Sequence, residues 1–291
     1  MELFWPAFKT ALNRFSHKGG LVFSSHVALS MMLALFPFCI VVLAVAGAIS
    51  QTGLQATGAE LGDLLDVVFG SWPDAIANPI EKEVHAVLET SGSGTITLGA
   101  LLTLIFASNG FDAVRLAISA AYHDRDEPRP AWKLRLLAVT FAILGAVLVT
   151  VAGLFSVVVP IYVHYVSDIA PVLHLEAISG EFIGTTITLL VLIFALYACH
   201  KWLPGVKRPT RAIFPGIVLT LVLWGICAKG FEYYIGTFST YSVTYAGLAG
   251  VMSALVFMYL MAAVFVLGAE FNACLGELAR AQRRGSEQGL E

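Results

Sequence analysis

Six stretches of this chain run for about twenty residues or more with hardly a charge, at 27–49, 95–116, 136–159, 182–203, 212–235 and 246–273. A helix rises about 1.5 Å per residue and a bilayer's hydrocarbon core is about 30 Å thick, so each stretch is long enough to cross one. The backbone of such a segment must satisfy its own hydrogen bonds in lipid, which makes the helix the expected form. Only 13% of the residues are charged and 58% are apolar, against about 25% charged in a soluble domain. The expectation is an all-α membrane protein with six transmembrane helices. A net charge of −3 gives no broad basic field, so nucleic acid is not an expected partner. Cys39, Cys199, Cys227 and Cys274 stand singly in or beside apolar runs, which argues against a disulfide framework and a zinc site; no cofactor is expected.

Orientation follows from the cations, because cytoplasmic segments collect Lys and Arg. Fifteen of the seventeen lie in the leader, the second and fourth connections with their flanks, and the tail; Lys82 and Lys229 are the exceptions. The first and third connections instead carry ten acids between Glu60 and Glu181. Both termini are therefore expected in the cytoplasm. Residues 1–26 are expected to be an interfacial amphipathic segment, 27–273 the six-span domain and 274–291 a cytoplasmic tail. The first apolar run is too long for the core of a cleaved signal and reads as a retained span.

The leader repeats Phe4, Phe8, Leu12 and Phe15 at helical spacing among Lys9, Arg14 and Lys18, the pattern of a helix lying on an anionic leaflet. In the outer loop at 50–94, Leu61, Leu64, Leu65 and Val68 form one such stripe and Ile80, Val84, Val87 and Leu88 another, parted by Trp72-Pro73 and Asn78-Pro79. Two short helices are expected there. The tail from Arg283 is polar enough to be disordered.

From Tyr197 onward, Leu203-Pro204, Lys207, Leu223-Trp224, Lys229-Gly230-Phe231, Tyr245-Ala246-Gly247-Leu248-Ala249-Gly250 and Leu267-Gly268-Ala269-Glu270 with Asn272 resemble the second half of the YihY/BrkB family. Leu29-Ser30, Phe36-Pro37, Ser108-Asn109, Asp112-Ala113, Trp132 and Arg135-Leu136-Leu137-Ala138 match the first half in order. His26-Val27-Ala28 stands where the family usually carries a tyrosine-containing motif. The resemblance implies a six-span protein of the bacterial inner membrane. Its names come from an RNA-processing assignment and from serum resistance, and they leave the activity open.

Polar groups inside the spans are the candidate functional residues, since an ionisable group in lipid costs at least about 2.5–3.5 kcal/mol and normally faces a bundle interior or wet cavity. Asn109, Asp112 and Arg115 share a face of the second span, and Asp112 can pair with Arg115 at i, i+3. Lys229 and Glu232 repeat that spacing in the fifth span, followed by Tyr233, Tyr234, Tyr241 and Tyr245. Glu270 and Asn272 fall near the end of the last span, with Arg115 or Arg211 as expected partners for Glu270. Pro37 can kink the first span beside Ser30 and His26. Gly216, Gly225, Gly247, Gly250 and Gly268 are expected to admit close helix packing. Blander accounts exist for each pair: interfacial anchors, a snorkelling lysine and an aromatic belt.

Three spans in each half leave room for an inverted repeat, with Asn109, Asp112 and Arg115 as an inner gate and Lys229 and Glu232 as an outer one. The expected function is a transporter or flippase-like carrier of a lipid, envelope precursor or other amphipathic anion. A non-transporting scaffold or regulator of the envelope is the alternative. Ribonuclease activity is not expected, because paired carboxylates and histidines at ligand spacing are missing from the short cytoplasmic connections. Membrane lipids are the expected partners, and the sequence leaves self-association open.

Overall fold

A computed structural model describes residues 3–35, 93–123, 127–148, 180–238 and 246–288. Among them are seven helices and no strands. They are α1 (Phe4–His17), α2 (Gly20–Leu35), α3 (Ser93–Ala121), α4 (Ala131–Leu148), α5 (Gly180–Trp202), α6 (Thr210–Phe238) and α7 (Ala246–Gln288). Five contain segments long and apolar enough to cross a membrane: Leu101–Ala121, Ala131–Leu148, Gly184–Trp202, Thr210–Ile235 and Gly250–Arg284. A sixth is reached if α1 and α2, bent by 71° at their junction, count as one. The architecture is an all-α, multi-pass bundle. Pro37, Tyr245, the rest of the first apolar run and residues 50–92 of the outer loop lie outside the described residues, while Ser93 and Gly94 already belong to α3.

Lipid leaves its mark on the outward faces. Leu101 and Leu102 on α3, Leu189 and Leu190 on α5, and Val222 and Ile226 on α6 are all exposed large apolar groups. A soluble protein would bury such stripes.

The bend between α1 and α2 has a local cause. The Lys18 N–H caps α1 on the Arg14 carbonyl at 2.8 Å, and Gly19 follows at φ +81°, a left-handed conformation that glycine adopts without strain. A Cβ at Gly20 would strike the Phe15 ring and carbonyl, so the glycine pair permits the tight turn. Helix α2 thus begins at Gly20, before residue 27 where the apolar run starts.

Helix α1 packs along α7. Its buried line is Ala7, Ala11 and Phe15, while Phe4 and Leu12 are half exposed, so the small residues rather than the whole predicted phenylalanine stripe make the close contact. Phe4 and Phe8 meet Phe271 edge-on at 5.1 and 6.5 Å between ring centres. Helix α7 spans 43 residues and continues through Gln288, where the sequence suggested a disordered tail. Ala, Leu, Glu, Arg and Gln dominate that extension, and they are strong helix formers.

The α6–α7 pair is the core of the bundle. Gly216 and Thr220 on α6 face Gly268 and Asn272 on α7, each couple spaced i, i+4 on one face. A Cβ at Gly216 would collide with the Gly268 carbonyl and the Asn272 carboxamide, so close approach requires the glycine. Further along, the Trp224 indole donates to the Met261 carbonyl at 2.8 Å. Gly225 differs from the expectation: a Cβ there meets nothing within 4 Å, because it lies off the crossing face.

Candidate functional site

One end of the bundle, where α1 packs, gathers polar side chains from α1, the end of α3, the residues just before α4, the turn between α5 and α6, and α7. Asp112 and Arg115 form the expected i, i+3 pair at 2.8 Å. Arg115 also donates to Glu127 at 3.1 Å, which places one guanidinium, buried to 9% side-chain exposure, between two carboxylates. Glu127 is gripped in turn by Arg129, whose hydrogen bonds hold its carboxyl below the usual carboxylate range. Arg129 then donates to the Leu203 carbonyl at 2.6 Å, tying this loop to the end of α5. Asn109 does not join the Asp112 pair; it accepts from Arg135 on α4 at 2.6 Å.

A buried polar seam lies deeper. Asn272, 3% exposed, accepts from the Gly216 N–H at 2.6 Å and donates to the Ile213 carbonyl at 2.8 Å. These bonds fall on the turn of α6 that contains Pro215, which lacks the N–H of an ordinary helical residue. The carboxamide thus binds a backbone donor and a backbone acceptor beside the interruption, as a peptide group would. Its Nδ2 also reaches the Tyr122 hydroxyl at 3.3 Å, and that hydroxyl lies 2.9 Å from His200 Nδ1. His200 is 1% exposed, and its Nε2 has no hydrogen-bond partner among the described residues. Sequence reading selected Asn272 and missed Tyr122 and His200. Both end apolar runs, and a buried ionisable group at such a place was the available signal.

The seam opens into a cleft of about 410 Å³. Tyr122 and Asn272 form part of its wall together with Arg208, Glu277, Arg280 and Arg283. Ala212, Ala273, Gly276 and Ala279 supply small apolar surface. Arg208 lies over the Tyr122 ring, its guanidinium carbon 3.9 Å from the ring centre, a cation–π contact that fixes both groups. Arg280 Nε donates to the Gly276 carbonyl at 3.1 Å. Glu277 is engaged by Arg14 of α1 at 2.7 Å, so its charge is answered from outside the cleft wall.

Behind the cleft, Glu270 is 4% exposed and its Oε2 has no hydrogen-bond partner among the described residues. Neither Arg115 nor Arg211 takes the expected pairing role. Arg115 is held by Asp112 and Glu127, Arg211 is exposed, and the cations acting on Glu270 are Arg14 and Lys18. Arg14 Nη1 and His123 Nδ1 are further buried atoms without partners in this cluster. Lys18 Nζ lies 2.9 Å from His123 Nε2. Burial, with Lys18 and Arg14 adding their charge, pushes His123 below the usual histidine pKa.

The remaining candidates stand apart. Lys229 and Glu232 do pair, at 2.8 Å, but with side-chain exposures of 83% and 68% they project from the bundle surface, as does Tyr233 at 78%. Ser30 is half-buried on α2, and it does not line the cleft.

Comparison with known proteins agrees with this architecture. The sequence pattern of the family described as Virulence factor BrkB matches residues 11–289. The chain is 27% identical over 267 residues to YfkH, a protein of Bacillus subtilis named as ribonuclease-like, covering 92% of this chain and 94% of that one. It is 26% identical over 286 residues to a UPF0761 membrane protein of Photobacterium profundum, covering 97% and 84%. A UPF0761 membrane protein of Vibrio campbellii is 24% identical over 276 residues, covering 93% and 82%. No solved structure matches. A multi-pass helical bundle with a family match across nearly its whole length, this chain belongs to the BrkB family.

Proposed function

We propose that the protein is a flippase-like carrier of an amphipathic anion, a lipid or envelope precursor, in the bacterial inner membrane. The observation that carries this reading is the buried seam of Asn272, Tyr122 and His200, continuous with the arginine-bearing cleft. A bundle that served only as a scaffold gains nothing from a histidine nitrogen buried without a partner, which costs stability. A carrier needs such a group to receive cargo or water in part of its cycle.

The arginine-rich end is the cytoplasmic one by the distribution of cations, with both termini on that side. Cargo therefore enters from the cytoplasmic leaflet. The proposed path starts at the cleft and does not use Lys229 and Glu232 as an outer gate, because both point away from the bundle.

That same exposed pair favours the second reading, a non-transporting scaffold or envelope regulator, since it leaves the described residues with a single polar station. We read the chain as a non-enzyme. The ribonuclease-like name is that of the Bacillus relative, and among the described residues no three His, Cys, Asp or Glu side chains gather as a metal site. Leaflet exchange in proteoliposomes decides between the two main readings. A carrier speeds the exchange of a fluorescent anionic lipid over protein-free vesicles, whereas a scaffold leaves the rate unchanged.

A further inference from the structure

We infer that the lipid-facing seam between α3 and α4 binds the phosphoethanolamine head group of a membrane phospholipid, with Arg135 on the phosphate and Asp112 on the ammonium. The inference stands apart from the carrier reading, because a scaffold can hold such a lipid equally well. Ile105, Asn109, Asp112 and Leu116 follow one another at helical steps of four, three and four, so they share a face of α3. Ile105, Asn109 and Leu116 are exposed, and the Asp112 side chain is 39% exposed. Trp132, Leu136, Ile143 and Val147 form the exposed stripe of α4, with an exposed Arg135 one turn past Trp132. Phe111 packs on Phe141 at 5.7 Å between ring centres and so sets the two helices side by side.

Both ionisable groups lie within apolar spans, Leu101–Ala121 and Ala131–Leu148, yet both are open to the outside of the bundle. Such groups ordinarily face a bundle interior, because lipid tails offer them no partner. Here the protein satisfies each only in part. Arg135 donates through Nη1 to Asn109 at 2.6 Å, and its other N–H groups make no hydrogen bond among the described residues. Asp112 accepts from Arg115 Nε on Oδ1 at 2.8 Å, which leaves Oδ2 open. No ion pair joins Arg135 to Asp112. Asn109, which holds the first, is nevertheless an i, i+3 neighbour of the second, at about 5–6 Å between Cβ atoms. Lys229 and Glu232 show the contrast: they too are exposed, but they close on each other. A cation and an acid held near one another and unpaired suit a dipolar ligand. A phosphodiester accepts from a guanidinium, and a primary ammonium donates to a carboxylate. Lys133 Nζ lies 5.4 Å from the centre of the Trp132 ring, a pairing that sets this end of α4 at head-group depth, with Ile105 and Ile143 beyond it for the chains.

The test is native mass spectrometry of the full-length protein in mixed micelles. The probes are dioleoyl phosphatidylethanolamine, its mono-, di- and trimethylated forms, and dioleoyl phosphatidylglycerol. Retention should hold while the nitrogen keeps an N–H. It should fall at least about tenfold at the trimethylated form, phosphatidylcholine, which cannot donate to Asp112. Asp112→Asn should bring phosphatidylethanolamine down to the phosphatidylcholine level. Arg135→Gln should weaken the two lipids alike, and Arg135→Lys should retain both. Lys229→Gln with Glu232→Gln, which removes an exposed cation and acid elsewhere on the bundle, should change nothing. Helicity and melting temperature verify that the variants fold, and the methylation series needs no variant.

Equal retention along the methylation series, or stronger retention of phosphatidylglycerol, overturns the role of Asp112 and with it the site. A loss in the Lys229 and Glu232 double variant equal to that in Asp112→Asn assigns the effect to general surface charge and likewise overturns it. Displacement of the lipid by millimolar O-phosphoethanolamine overturns the lipid as the occupant. Selective retention without leaflet exchange supports this inference while defeating the carrier reading, so the two can fail separately.

Discussion

Replacing Gly268 by alanine tests the α6–α7 crossing on which the seam depends. The new Cβ would lie 2.9 Å from the Gly216 carbonyl oxygen and closer still to Thr220 Oγ1. Thr220 can rotate away, but the carbonyl belongs to a helix and cannot, so the two helices must separate. Overpacking of this kind costs about 1–3 kcal/mol. Separation also stretches the Asn272 bonds to Gly216 and Ile213, one turn along α7, and interhelical bonds in membranes average about 0.6 kcal/mol each. The total is a loss of about 2–4 kcal/mol. Gly225→Ala is the internal control. Its Cβ meets nothing within 4 Å, so relief of glycine's backbone entropy should give a gain of about 0.5–1 kcal/mol. Reversible unfolding in mixed micelles titrated with dodecyl sulfate measures both. The packing argument is wrong if Gly268→Ala is no more destabilising than Gly225→Ala.

Two other outcomes follow from the charged end. Arg115→Ala leaves Asp112 without its cation and should cost about 1–3 kcal/mol; Arg115→Lys should recover only part, because Nε serves Asp112 while Nη1 serves Glu127 and an ammonium lacks that fork. Dodecyl sulfate titration of the two variants side by side checks the order. His123 is held toward its neutral form, so the unfolded chain takes up a proton at higher pH than the folded one. Stability should therefore fall as pH drops below about 6.5, the ordinary histidine value. His123→Asn, which suits the left-handed φ of 58° at that position, should flatten the acid limb of a melting-temperature profile between pH 7.5 and 5. An unchanged acid limb would exclude His123 as its source.

Local features of this protein were legible in the sequence because their physics is local. Span length, helical phase in the leader, and the pairs Asp112–Arg115 and Lys229–Glu232 all follow from a periodicity of 3.6 residues. Which side of a helix meets a neighbour is decided by packing, and there the reading failed in part. Gly225 resembles Gly216 in sequence, yet only Gly216 lies on the crossing face. Glu270 was assigned Arg115 or Arg211, but α1 folds against α7 and brings Arg14 and Lys18 instead, across more than 250 residues. The seam joins Tyr122 to His200 and Asn272 over separations of 78 and 150 residues, which no spacing rule reveals. Arg208, Arg280 and Arg283 were counted as evidence of orientation, and only the fold turns them into one cleft.

The carrier account is tested most directly at His200. Substituting phenylalanine keeps an aromatic ring against Phe265 and Tyr122 while removing both nitrogens, and the Tyr122 hydroxyl still accepts from Asn272 Nδ2. Removing Nε2 relieves a buried atom that has no partner among the described residues, but removing Nδ1 breaks its 2.9 Å hydrogen bond with the Tyr122 hydroxyl, so a net loss of no more than about 1–3 kcal/mol is expected. The decisive quantity is the leaflet-exchange rate of a fluorescent anionic lipid in proteoliposomes containing folded His200→Phe protein. The account predicts exchange at the protein-free rate. Exchange at the wild-type rate would contradict it.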